Sequence, residues 1–239
     1  MKNLSEIPAA ILAGGMGTRL RSVVSDRPKV LSEVGGRPFL TYLLDRLAAV
    51  QVQKVVLCTG YLGEQVKARM GDRYRGIRLE YSREPSPLGT AGALRLALPL
   101  LASELVLVMN GDSYFGTTLR AFCAVHRLRE ANASIVLAEV EQPGGFGSVE
   151  VEEDGRIKAF FEKKKKAGGG WVNAGIYLLR TSLLELIPGD GEVSLENEIF
   201  PAWIGRGLYG FRCQGRFIDI GTPESFVTAE EFLSREKIL

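Results

Sequence analysis

The sequence predicts an α/β fold: a Rossmann-like, mostly parallel sheet flanked by helices, joined to a mixed β lobe. Three observations predict it. Short aliphatic and β-branched runs recur with amphipathic segments between them, the first of these runs passes straight into a glycine-rich turn, and beyond residue 145 the alternation gives way to a hairpin pattern.

The buried-strand candidates come first in the chain: Ala9–Ala13, Lys54–Thr59, and residues 78–81, 105–109 and 134–138. Between the first two, Leu40, Leu43, Leu44 and Leu47 recur at helical spacing and put four leucines on one face. Residues 91–98 fit a short helix before the fourth run, and 121–128, which carries His126, reads as a helix with the histidine on its surface. Residues 148–151 and 157–161 flank Asp154-Gly155, a favoured hairpin turn. A strand over 171–179, a helix over 195–204, a pair of strands over 208–213 and 216–220 and a closing helix over 223–233 complete the reading. Pro223 stands near that last helix's first turn.

Composition sets the class. The chain has 239 residues, 46% hydrophobic and 24% charged, enough apolar material for one core, so residues 1–239 are read as a single domain with a first part of about 1–145 and a second of about 146–239. No apolar run approaches the roughly 20 residues needed to span a bilayer, and residues 1–8 are polar, so a cytoplasmic protein without membrane contact is expected. Cys58, Cys123 and Cys213 form no metal or disulfide pattern and are read as buried thiols. A net charge of +2 excludes the footprint of a nucleic-acid binder, and the basic run 163–166 reads as a solvated loop. A homo-oligomer is left open.

The first strand ends in Gly14-Gly15-Met16-Gly17-Thr18-Arg19-Leu20, where glycines let the backbone approach a ligand and expose N–H groups to an anion. A P-loop needs Gly-Lys-Ser/Thr, and a dinucleotide fingerprint needs a third glycine where Leu20 stands, so neither applies. Arg19 and the nearby Lys29 supply charge for several phosphates. Asp112 closes the fourth run, and Asp219 sits in an apolar stretch. The two aspartates can share one Mg²⁺ if the fold brings them together, and taken singly each also suits a turn or a cap.

The turn together with Pro28-Lys29 resembles the signature of the sugar-nucleotide pyrophosphorylases, and the resemblance runs from Ala9 to about Phe226. It implies the fold of nucleotide-diphospho-sugar transferases, with a nucleotide-binding first part and a sugar-binding second part. It also implies Mg²⁺-dependent transfer of a nucleotidyl group from a nucleoside triphosphate to a sugar 1-phosphate. Leu12, Ala13, Gly14, Gly15, Gly17, Thr18, Gly89 and Thr90 match its nucleotide-binding segments. Arg19 would face the departing phosphates, Lys29 the α-phosphorus, and Asp112 and Asp219 the metal. Gly147, Glu162, Lys163 and Asn173 match its sugar-phosphate elements, although Lys164 replaces the proline that often follows the Glu-Lys pair.

Glu84, just before the base segment, can accept the N1–H and 2-amino hydrogens of guanine, which favours GTP; otherwise it is an exposed loop residue. Residues 194–201 and 216–226 most resemble the bacterial D-glycero-α-D-manno-heptose 1-phosphate guanylyltransferases, with enzymes for mannose 1-phosphate or UTP close by. The chain shows no left-handed β-helix extension, so acyl transfer is not expected. A non-catalytic nucleotide-sensing module should have lost charged residues that remain here. A glycosyltransferase should carry Asp-x-Asp where this chain has Asn110-Gly111-Asp112.

Overall fold

A computed structural model of the chain describes residues 4–15, 17, 26–141, 147–161 and 170–235. The first half runs β1 (Ala9–Ala13), β2 (Glu33–Val34), β3 (Arg37–Pro38), α1 (Phe39–Ala49), β4 (Lys54–Thr59) and α2 (Gly63–Met70). It continues through β5 (Arg73–Tyr74), β6 (Ile77–Arg83), α3 (Gly89–Leu101), β7 (Leu105–Asn110), β8 (Ser113–Phe115) and α4 (Leu119–Leu128). Strands β6, β4, β1 and β7 lie side by side and all parallel, as the alternating pattern predicts.

Strand β1 shows why the sheet is covered on both faces. Its successive side chains point to opposite sides. Ala9, Ile11 and Ala13 join the core that contains Leu40, Leu43, Leu44 and Leu47 of α1, all fully buried. Ala10 joins the opposite core with Ala91, Leu94 and Ala97 of α3.

The second half adds β9 (Ala133–Val140), β10 (Ser148–Val151), β11 (Ile157–Phe161) and the long β12 (Gly170–Arg180). After α5 (Thr181–Leu184) come a π-helical turn over Leu195–Ile199, α6 (Phe200–Ala202), β13 (Leu208–Cys213), β14 (Phe217–Asp219) and α7 (Pro223–Ser234). Strand β12 is antiparallel to β7 through Ile176–Arg180 and antiparallel to β9 on its other edge, so it welds the mixed lobe to the parallel part. β10 and β11 form the hairpin expected from Asp154-Gly155.

Three expectations need correction. The helix expected over 195–204 is a π-helical turn followed by a three-residue helix. Pro201, which has no N–H to donate, stands where the ladder would continue. The strands at 208–213 and 217–219 do not pair with each other: β13 runs parallel to β9, while β14 pairs antiparallel with β8. His126 is buried at 3% exposure, because Leu119, Phe122, Cys123 and His126 form the inward stripe of α4. Its Nδ1 lies 2.8 Å from Ser134 Oγ on β9. Of the thiols, Cys58 and Cys123 are buried and Cys213 is half-buried. No helix among the described residues is long and apolar enough to cross a membrane.

Candidate active site

The carboxyl ends of β1, β4 and β7 open into a cavity of about 890 Å³, the place where parallel sheets bind ligands. Its wall includes Leu12, Ala13, Gly14, Gly15, Lys29, Glu84, Gly89, Thr90 and Asp112. Gly17 is in the left-handed region at φ 59°, and a Cβ there would lie 3.6 Å from Lys29 Cβ. Gly147, just before β10, and Asn173, on β12, stand outside that wall, and Thr18, Arg19, Glu162 and Lys163 lie outside the described residues.

Glu84 lines the cavity beside the ends of β1 and β4. The strand-end glycines Gly14 and Gly60 flank its carboxylate so closely that a Cβ on Gly14 would come within 2.5 Å of Glu84 Oε1, and one on Gly60 would also collide. Glu84 Oε2 accepts a hydrogen bond from the Leu88 N–H at 3.1 Å. Glu84 is half-buried rather than an exposed loop residue. Burial pushes its carboxyl above the ordinary value; the Leu88 N–H opposes this and the charge of Glu192 adds to it. Gly60 was not singled out by the sequence, although a glycine immediately after a buried strand is the available signal.

The same cavity is lined by Lys29, in a 3₁₀ turn that follows Pro28. Its Nζ lies 2.6 Å from Asp112 Oδ2 and 3.9 Å from Asp219 Oδ1. The two aspartates meet because Asp219 of β14 pairs with Ser113 of β8, the residue after Asp112, and because the Ile220 N–H donates to the Asp112 carbonyl at 2.9 Å. The Gly221 N–H donates to Asp219 Oδ1. Gly111 holds this corner tight: its N–H donates to the Leu12 carbonyl, and a Cβ there would lie 2.5 Å from the same oxygen.

Two carboxylates converging on one cation suit Mg²⁺, which is typically held by one or two carboxylates together with phosphate oxygens and water. No group of three potential ligand side chains occurs among the described residues, so the remaining positions would fall to substrate oxygens and water.

From Thr90 in the cavity wall leads a polar network that sequence reasoning missed. Thr90 Oγ1 donates to Glu196 Oε2 at 2.7 Å, the Tyr177 hydroxyl donates to Glu196 Oε1 at 3.1 Å, and Asn173 Nδ2 donates to the Tyr177 oxygen at 2.9 Å. Asn173 therefore turns its amide inward, and Thr90 engages Glu196 while lining the cavity. Asn110, also in the cavity wall, carries a buried Oδ1 without a partner. Tyr177 lies in the apolar run of β12, and the 194–201 motif contains Glu196 without showing which distant hydroxyls its carboxylate meets.

With this geometry in hand, comparison with known proteins is informative. Residues 8–236 match a family described as nucleotidyl transferase. The chain is 36% identical over 234 residues to a mannose-1-phosphate guanylyltransferase of Mycobacterium tuberculosis, covering 96% of this chain and 65% of that protein. It is 34% identical over 226 residues to the D-glycero-alpha-D-manno-heptose 1-phosphate guanylyltransferase of Aneurinibacillus thermoaerophilus, covering 94% of this chain and 97% of that protein. The chain thus spans just under two thirds of the mannose relative and nearly all of the heptose relative. Among solved structures, HddC from Yersinia pseudotuberculosis complexed with GMP-PN superposes with a TM-score of 0.84 at 29% identity, over 95% of this chain and 99% of that one.

Proposed function

The chain belongs to the nucleotidyl transferase family, and from that premise we propose that it transfers a guanylyl group from GTP to a sugar 1-phosphate, releasing pyrophosphate. The observation that carries this reading is one cavity whose wall holds both Glu84 and Lys29, the lysine standing beside Asp112 and Asp219. In this reading the base lies against Glu84, whose carboxylate accepts the N1–H and 2-amino hydrogens of guanine. The relatives named as guanylyltransferases support that assignment.

An oxygen of the sugar phosphate attacks the α-phosphorus in line. One P–O bond forms, the bond to the β-phosphate bridge breaks, and pyrophosphate carries off the electron pair. The nucleophile is already ionised, so no general base is required. Burial lowers the pKa of His126 to about 4, and this neutral histidine is packed against β9 as part of the core. Asp112 and Asp219 would hold Mg²⁺, which would supply charge that offsets the phosphates. Lys29 steadies the α-phosphoryl oxygens, and backbone N–H groups from Leu12 to Gly15 with Gly89 hold the nucleotide. Arg19 faces the departing phosphates, and Lys163 and Glu162 with Asn173 and Gly147 hold the sugar phosphate.

The motifs at 194–201 and 216–226 point first to D-glycero-α-D-manno-heptose 1-phosphate. Mannose 1-phosphate is the second reading, favoured by the 36% identity to the mycobacterial relative. The test is pyrophosphate release with Mg²⁺ from each common nucleoside triphosphate against a panel of sugar 1-phosphates that includes both. Selective turnover of GTP with the heptose phosphate supports the specific reading. Preference for mannose phosphate or UTP retains the class and replaces the specificity.

A further inference from the structure

We propose that Glu196 is a positioning residue. It sets the orientation of Tyr177 and Asn173 for the sugar phosphate and ties that side of the site to the wall that holds the nucleotide. The proposal rests on the functional reading above.

Three hydroxyls converge on this one carboxylate. Tyr177 donates to Oε1 at 3.1 Å, while Thr90 at 2.7 Å and Ser194 at 3.2 Å both donate to Oε2. A carboxylate only accepts, so every hydroxyl must turn its proton toward it. The Tyr177 oxygen is then left with its lone pairs outward, and Asn173 Nδ2 fills one of them at 2.9 Å. The other end of that amide is fixed as well, because Asn173 Oδ1 accepts the Gly175 N–H at 2.9 Å. One charge thereby sets the direction of a whole chain of hydrogen bonds. Tyr177 is fully buried, and burial together with the Glu196 charge holds its hydroxyl proton in place.

Glu196 forms no ion pair with any described residue, which makes a half-buried carboxylate a costly choice for packing alone. It also lies in the π-helical turn Leu195–Ile199, a geometry found often at functional sites.

On the nucleotide side the same segment is stitched to the start of α3. The Leu195 N–H donates to Thr90 Oγ1 at 2.8 Å, and the Ala91 N–H donates to the Val193 carbonyl at 2.9 Å. The Val193 N–H donates to the Leu88 carbonyl, and the Leu88 N–H in turn donates to Glu84. Hydrogen bonds therefore lead from the proposed base acceptor to the proposed sugar strand, with Glu196 as the junction.

A glutamine at 196 keeps the shape but offers one acceptor oxygen and an NH₂ group, so the branch that meets the NH₂ must reverse its direction or face donor to donor. The experiment measures KM for both substrates, using GTP and mannose 1-phosphate or whichever pair the wild type turns over, in Glu196→Gln, Tyr177→Phe and the double variant. The expected result is a rise in sugar-phosphate KM of ~10-fold or more in each single variant, with GTP KM moving less than about threefold. The double variant should be no worse than the more affected single, since both changes break the same chain. Tyr177→Phe carries the test should Glu196→Gln fail to fold. Unmoved sugar KM, equal shifts in both KM values, or effects that multiply in the double variant would overturn the proposal. A wild type that releases pyrophosphate with no pair overturns the reading of the site itself, and this proposal with it.

Discussion

The ammonium of Lys29 lies 2.6 Å from the carboxylate of Asp112 and, at 3.9 Å, also faces Asp219. The lysine places a positive charge between two carboxylates, which like charge at this range otherwise drives apart. In the proposed reaction Lys29 would also be drawn toward the phosphates.

Replacing Lys29 by Gln should therefore have opposite effects on chemistry and on metal binding. Removing a charge aimed at the reacting phosphate should lower kcat by about 10²-fold to 10³-fold. Binding of Mn²⁺ to the protein without nucleotide should tighten, because Nζ no longer competes for the carboxylates. A Mn²⁺ titration followed by electron paramagnetic resonance reads the second effect directly, and weaker binding in the variant would contradict it.

Glu84 should report on both base selection and pH. Glu84→Gln should raise the GTP KM by about 10-fold to 100-fold, the scale for a buried partner left unmatched, and change UTP turnover less. Because burial raises the folded-state pKa of this carboxyl, its ionisation destabilises the fold as pH rises from its unfolded value through the raised one. The melting temperature of Glu84→Gln relative to wild type should then be higher at neutral pH, with the gap closing toward acid. A gap that widens in acid contradicts this assignment.

His126 carries the opposite sign. Its pKa of about 4, held down chiefly by burial, lies below the unfolded value of 6.5. The unfolded chain takes up the proton first, so wild-type stability should be intact above pH 6.5 and fall progressively as pH drops toward 4. His126→Asn should flatten that slope in chemical denaturation. Its kcat profile against pH should match wild type, since the ring packs against Ser134 in the core.

Gly89 tests the geometry that seats the base segment. It sits at φ 71°, and a Cβ there would collide with the Val193 carbonyl. Gly89→Ala should cost about 1–3 kcal/mol from backbone strain alone, and scanning calorimetry should show a clear fall in melting temperature. A variant as stable as wild type would mean that this contact is not a tight one.

Local chemistry was legible in the chain. The glycine turn after β1, Pro28-Lys29 and Asn110-Gly111-Asp112 are contiguous, and the strand and helix periods place them at the end of a parallel sheet. What contiguity cannot carry is register. Asp112 and Asp219 meet through the pairing of Ser113 with Asp219, and β13 leaves its neighbour in sequence to join β9. His126 departs from the expected surface position for a simpler reason: it belongs to the 119, 122, 123, 126 stripe, which the helix turns toward the core. Gly60 and Glu196, the first just after a buried strand and the second inside the 194–201 motif, meet partners from distant segments that the local sequence does not place beside them.

The most direct test of the central claim is ³¹P NMR of the wild-type protein with GTP, Mg²⁺ and the heptose or mannose 1-phosphate. Guanylyl transfer predicts paired resonances of a GDP-sugar and pyrophosphate growing in equal amounts as GTP and sugar phosphate disappear. An unchanged spectrum with every sugar phosphate, or GTP going only to GDP and inorganic phosphate, would contradict the account.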